Sequence, residues 1–426
     1  MSLLIRASQI TPLATKIAAS SYRLPVAWTQ RANSAATFAT TVQKRGVPLL
    51  FTPGPLTTTA RVKEAMLVDL GSRDTRFMNV LANIRSGLLA LGGVSQEEGY
   101  ECVIVQGAGS HGIEAVLGTS VPRKGGKLLI LSNGAYGMRQ AQICEYLGIE
   151  YNLIDFTDRK PVDVTALEQA LAEDSSFTHV GMVHHETTAG VINDVKSVGQ
   201  FLASEYPKVE LVVDAMSSMG AYELPLKDWN VSYAVSSANK CIEGVPGFCF
   251  ALCKRSSLLA AEGNARSFCM DLYAQWKGLE TTGQFRFTPP THVILAFNEA
   301  LKEWEEEGGV EGRFGRYKQN YDIICAGMEE MGFQYYVESQ WRGVIITTFM
   351  QPAHVPGWDF DRFYRFLGDR GLVIYPGKLA SGLSFRLGTI GRISPDDCRD
   401  LIDAIRDALR DMDISTPIPP PLTSSS

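Results

Sequence analysis

Acidic residues are missing from the start of this chain: none occurs among residues 1–46, and the first is Glu64. The same stretch carries Arg6, Lys16, Arg23, Arg31, Lys44 and Arg45 among Ser, Thr and Ala. An acid-free, Arg-containing, Ser-rich leader has the pattern of a mitochondrial transit peptide, which makes the matrix the expected address. The alternative is a disordered extension without an address and a cytoplasmic protein. Long apolar runs are also lacking: none approaches the roughly 20 residues that span a bilayer. Basic residues are not in excess, with 40 Lys and Arg against 46 Asp and Glu and a net charge of −6. That balance speaks against a nucleic-acid surface. No tandem cysteine pair has zinc-finger spacing. Of the eight cysteines, Cys249 and Cys253 lie closest together, in an apolar, strand-like run. Free thiols in a reducing compartment and no metal site are the expectation. No internal repeat is visible. The chain ends in STPIPPPLTSSS, where proline blocks helix and sheet and little apolar area offsets ordering entropy, so residues 414–426 read as a disordered tail.

What is present is ordinary globular material, 45% hydrophobic and 20% charged over 426 residues. From about Tyr100 to Lys254, short apolar runs alternate with helical patterns. CVIVQ (102–106), KLLILS (127–132), VGMVH (180–184), LVVDA (211–215) and YAVSS (233–237) read as buried strands. Helices are expected from His111, Tyr136, Asp163 and Val195. Continuous rather than alternating apolar strands imply a sheet covered on both faces, hence mainly parallel. After about Thr291 the pattern changes to long helices (293–307, 310–331), short strands (344–350, 384–389) and a last helix from Pro395. That is a separate, smaller α+β unit. Ligands of such parallel sheets sit beyond the carboxyl ends of the strands, so the residues just after each strand are the candidates for chemistry.

The first strand runs into Gly107-Ala108-Gly109-Ser110-His111-Gly112, which matches the dinucleotide fingerprint G-x-G-x-x-G and raises a nicotinamide oxidoreductase. That fingerprint also asks for an acidic residue at the end of the next strand to hold a ribose hydroxyl. Here the strand ends in Ser132-Asn133. A single phosphate at a helix N-terminus suits the turn better. Asp214 ends its strand at the ligand-facing edge, and Lys240 follows the next one, in SSANK (236–240). An Asp at a strand end often caps a turn, and most lysines are simply solvated. Together with a phosphate turn, however, they form what pyridoxal-phosphate chemistry needs: a carboxylate for the ring nitrogen, a lysine for the Schiff base and a cradle for the phosphate. Tyr136 begins a helix where an aromatic could stack on a flat ring.

The segments TPGPLTT (52–58), NGAYGMR (133–139), HHETTAG (184–190), VDAMSSMG (213–220), SSANKCIEGVPGF (236–248), DLYAQW (271–276), RFTPPTH (286–292), IYPGK (374–378) and FRLGTIG (385–391) resemble the 2-aminoethylphosphonate:pyruvate aminotransferases. These are class-V, fold-type I pyridoxal-phosphate enzymes. The resemblance runs from about Leu50 to Leu409. It implies an α/β fold with a large cofactor-binding domain (47–292) and a smaller α+β domain (293–413). It implies that Lys240 and Asp214 are catalytic, and that Ala108, Gly109, Ser110, Tyr136, Thr187, Asn239 and Thr288 join them in holding pyridoxal 5′-phosphate. Arg386 would grip the acid group of the substrate, with Gly54 beside it. The family's usual Ser-Gly-Thr turn reads Ala108-Gly109-Ser110 here, so one hydroxyl is lost. Thr288 matches a residue that reaches the neighbouring subunit, so a homodimer with shared sites and small-molecule substrates is implied. An alanine– or serine–glyoxylate aminotransferase of the same fold remains the alternative.

Overall fold

The computed structural model describes residues 47–377, 379 and 383–421. The leader (1–46), Lys378, residues 380–382 and the last five residues lie outside them. Seven strands among the described residues form one sheet: Tyr100–Gln106 (β1), Lys127–Ser132 (β2), Glu150–Asp155 (β3), His179–Val183 (β4), Glu210–Asp214 (β5), Tyr233–Ser237 (β6) and Phe248–Lys254 (β7). Their order is β1-β7-β6-β5-β4-β2-β3. All neighbours from β6 to β3 pair in parallel. β7 is antiparallel to both β1 and β6.

The helices Gly109–Ser120, Ala135–Leu147, Val164–Glu173 and Val195–Glu205 connect β1 through β5. They begin where expected because the sequence supplies their caps. Asp163 accepts from Thr165 N–H and Asp194 from Ser197 N–H, satisfying amides that an α-helix leaves unpaired. β4 and β6 are buried along their whole length, as their unbroken apolar runs require.

Two strand features differ from expectation. β3 is an edge strand whose residues alternate between exposed and partly covered, so EYNLID carries no apolar run to signal it. β7 is apolar and buried up to Lys254, but its direction is set by pairing rather than composition.

A second, three-stranded antiparallel sheet joins Ile346–Met350, Ser384–Gly388 and Tyr375–Pro376. It packs with the helices Gly309–Glu330, Phe360–Asp369 and Pro395–Asp411 around Phe349, Phe363, Phe385 and Leu401. The two cores do not divide at residue 293. Helix Thr291–Glu306 buries Ile294, Phe297 and Leu301 in the core of the large sheet. Leu49 and Phe51 pack in the second core, and Leu49–Leu50 pairs in parallel with Leu372–Val373. The tail reading is corrected over 414–421: Ile414 and Ile418 are buried against that core, and Ile418 N–H donates to Met331 O at 2.8 Å. Two isoleucines among the prolines provide enough apolar area to dock it. Among the described residues, no helix is long and apolar enough to cross a membrane.

Candidate active site

β1, β2, β4, β5 and β6 run in one direction, so the segments that follow them meet at a single edge of the sheet. There they enclose a cavity of about 190 Å³. Its walls include Ala108, Gly109, Ser110, Tyr136, Thr187, Asp214, Asn239 and Lys240. The sequence places these eight residues on five separate strand ends, and the fold brings them together. Thr288 is elsewhere, in a surface cleft with Ser72, Arg73 and Arg286.

At one end of the cavity the turn after β1 enters helix Gly109–Ser120. Gly107 has φ +125°, and a side chain there would collide with the His111 ring. A Cβ on Gly109 would lie 2.5 Å from Met216 Sδ. Ala108 is the helix N-cap and offers no side-chain acceptor. Ala108 N–H donates to His111 Nδ1 at 3.1 Å and His111 N–H to Ala108 O at 2.9 Å, so the helix N-terminus opens into the cavity at Gly109 and Ser110, the arrangement that binds an anion. Ser110 Oγ accepts from Arg139 Nη1 at 3.1 Å, which leaves the hydroxyl proton to be donated elsewhere.

On the floor, Asp214 ends β5, almost fully buried. Met216 N–H donates to its Oδ1 at 3.0 Å. Burial pushes its pKa up to about 7; the Met216 hydrogen bond works against that, Glu186 adds to it, and Lys240 and Arg139 oppose it. A carboxylate in this state is ready to keep its charge once a cation sits beside it.

Lys240 follows β6 in a tight turn. Its Nζ donates to Pro53 O at 2.5 Å. Gly54 has φ +119°, and a Cβ there would stand 2.9 Å from the Lys240 ammonium. Only glycine lets the N-terminal segment lie this close to the lysine. Behind the turn, Glu243 accepts from Arg316 Nη2 at 2.7 Å and from Tyr317 OH at 2.6 Å. Arg313 and Arg316 both reach Glu307 as well, at 2.7 and 2.5 Å. Two acids and two guanidiniums balance each other, which makes their burial tolerable. They fasten the lysine turn to helix Gly309–Glu330.

Arg386 lies in the middle of strand Ser384–Gly388, with only 1% of its surface exposed. Nη1 donates to Thr187 O at 3.0 Å, and Nε and Nη2 donate to Pro376 O at 3.4 and 3.2 Å. It does not line the cavity itself but is tied to it through Thr187. Burial lowers its pKa, yet a guanidinium stays charged in proteins.

The cavity also takes in residues the sequence reading passed over: Arg139, Gln140, His185, Met216, Ser217 and Ser237. Arg139 lies one helical turn beyond Tyr136, with its guanidinium 4.9 Å from that ring, a spacing that could have flagged it. His185 is neutral: burial first, then His184 and Lys240, depress its pKa to about 3.

The sequence profile of the aminotransferase class-V family matches residues 64–387. The chain belongs to the class-V aminotransferases. A 2-aminoethylphosphonate–pyruvate transaminase of Rhizobium meliloti (strain 1021) is 46% identical over 377 residues, covering 88% of this chain and 97% of that protein. One from Bacillus mycoides (strain KBAB4) is 44% identical over 358 residues, covering 84% and 96%. Among solved structures, an alanine–glyoxylate aminotransferase from Nostoc sp. superposes with a TM-score of 0.78 at 24% identity, over 85% of this chain and 96% of that one. That likeness shows a shared fold.

As a class-V aminotransferase, the chain should fail differently at its two central residues. Lys240→Ala is expected to abolish turnover and remove the visible absorption band of the holoenzyme. Asp214→Asn is expected to keep the cofactor and lose most of the rate, because a neutral amide cannot hold a cation charged. Spectra and steady-state rates read both, and near-wild-type turnover in either variant would remove that residue from the chemistry.

Proposed function

We propose that this enzyme transfers the amino group of 2-aminoethylphosphonate to pyruvate, giving phosphonoacetaldehyde and L-alanine. The observation that carries the reading is the state of Arg386. Three of its five N–H groups are engaged by Thr187 and Pro376. Among the described residues, one N–H on each terminal nitrogen is left for a small acid, in the fork geometry that suits a phosphonate or a carboxylate. The high identity to the two transaminases supports the choice of substrates.

The cofactor is pyridoxal 5′-phosphate, and the cavity fits it: an anion cradle at one end, a carboxylate on the floor and a lysine facing a glycine that leaves it space. When bound, it supplies an aldehyde that takes the amino group and a protonated ring that accepts the electron pair of a broken C–H bond. Gly109, Ser110 and the helix N-terminus hold its phosphate, with Ala108 and Asn239 alongside. Asp214 keeps the proton on the ring nitrogen. Tyr136 and Thr187, both in the cavity wall, would flank the ring. Lys240 would hold the cofactor through Nζ and, as a neutral amine, would take the proton from the amine-bearing carbon of the substrate. Pro53 O, which accepts from Nζ at 2.5 Å, would hold the ammonium formed once that proton is taken. Arg386 grips phosphonate in one half-reaction and the pyruvate carboxylate in the other. Because aminoethylphosphonate has no carboxylate on the reacting carbon, that grip supplies the positioning.

Thr288 fits a homodimer in which each chain completes the other's site: it lies outside its own cavity, so it can serve a phosphate only in a second copy. Sedimentation as an active monomer would exclude this. Residues 1–46 serve as a mitochondrial address on the strength of composition, and should carry a fluorescent reporter into mitochondria; a diffuse signal would refute that.

Arg386→Ala should raise KM for both substrates and lower kcat/KM on the order of 100-fold or more, since a charge-assisted bidentate contact is lost in a dry site. Cofactor affinity should be nearly retained. Arg386→Lys should rescue little, because it restores charge without the fork. Steady-state kinetics with each substrate varied in turn decide it. An effect confined to pyruvate would show that the phosphonate is held by another cation.

A further inference from the structure

Helix Ala135–Leu147 starts at Gly134, which has no side chain with which to cap it. Its first amides are satisfied instead from the segment after β4. Ala135 N–H donates to Thr188 Oγ1 at 2.8 Å, and Tyr136 N–H to Glu186 Oε2 at 3.1 Å. The Thr188 hydroxyl and N–H both donate to Glu186 Oε1, at 2.6 and 2.9 Å. Glu186 is fully buried. Burial raises its pKa, and the donors from Thr188, Tyr136 and Gly137 work against that; as a carboxylate it sits at the positive end of the helix, where a negative charge is stabilised. The contact is close: a Cβ on Gly134 would come within 2.6 Å of the Glu186 carboxyl carbon. Between these two anchors, the Thr187 carbonyl accepts from Arg386 Nη1. Three consecutive residues thus hold the helix that presents Tyr136 and Arg139 to the cavity, and on the other side the substrate-gripping guanidinium.

We propose that Glu186 is a positioning residue of the transamination site: its carboxylate sets Tyr136 against the cofactor and, through Thr187, sets Arg386 at the distance of the substrate acid group. The inference rests on the reading of the cavity given above. A carboxylate is required because both of its oxygens receive donors. In an amide, one oxygen would become an NH₂ group facing Tyr136 N–H or Thr188, donor against donor in a buried place. Thr188 is the second member, since its hydroxyl both caps Ala135 and holds the carboxylate.

The test compares Glu186→Gln and Thr188→Val with the wild type by two readouts: titration of the apoprotein with pyridoxal phosphate, and KM for aminoethylphosphonate and for pyruvate. Glu186→Gln is expected to weaken cofactor binding and raise both KM values, each roughly tenfold, as the loss of a charge-assisted hydrogen bond implies. kcat should fall less than kcat/KM. Thr188→Val should move the same constants in the same direction by less, and it carries the test if Glu186→Gln does not fold. Wild-type cofactor affinity and wild-type KM values in the folded variants would overturn the proposal. So would a lowered melting temperature with both constants unchanged, which would make Glu186 merely a packing group. If the wild type does not use aminoethylphosphonate, the substrate reading fails by itself, and the cofactor titration still decides the role of Glu186.

Discussion

Taking a carboxylate out of water costs several kcal/mol unless something nearby compensates it. Asp214 is nearly inaccessible to solvent at the end of a buried strand, and its proton affinity is raised until it titrates near neutrality. Much of the surrounding architecture follows from this one placement. The parallel sheet is what brings a strand end to a dry interior edge. The helix that opens at Gly109 and the lysine turn after β6 bring positive potential to the same edge. In the proposed role, a ring with a protonated nitrogen would complete the balance, so cofactor binding and the ionisation of Asp214 would support each other.

The remaining charges are treated in a similar way. Glu243, Glu307, Arg313 and Arg316 compensate one another behind the Lys240 turn. Glu186 is compensated by a helix end rather than by a cation. Arg386 is held by the backbone carbonyls of Thr187 and Pro376, and in the proposed reaction its counter-charge comes from the substrate. In the proposed reaction, by contrast, the charges of Asp214 and Arg386 are balanced by cofactor and substrate.

The sequence made the site more legible than the frame that holds it. Runs such as VGMVH and YAVSS could only be doubly covered strands, and the rule that ligands gather at carboxyl ends then pointed to Gly109, Asp214 and Lys240, which the fold assembles around one cavity. Asn133, standing where a dinucleotide site needs an acid, bonds to Lys160 O and Asn193 Oδ1 and so belongs to the frame. Other features depend on distance in space. Edge strand β3 has no apolar run, and β7 shows its direction only by its partners. Leu49 and Phe51 join a core built from residues more than 270 positions away. The bond between Thr187 and Arg386 spans 199 residues, and no local pattern could announce it. Resemblance supplied Arg386 and Thr288, but not the carbonyls that orient the first or the separate cleft that holds the second.

The account stands most directly on a half-reaction. Purified holoenzyme is mixed with aminoethylphosphonate in the absence of pyruvate, and the released aldehyde is counted; pyruvate is then added and alanine is counted. One phosphonoacetaldehyde per Lys240 site, followed by one alanine per site, is the expected result. Release of no aldehyde in the first step, with full amino transfer from alanine to glyoxylate by the same preparation, would contradict it.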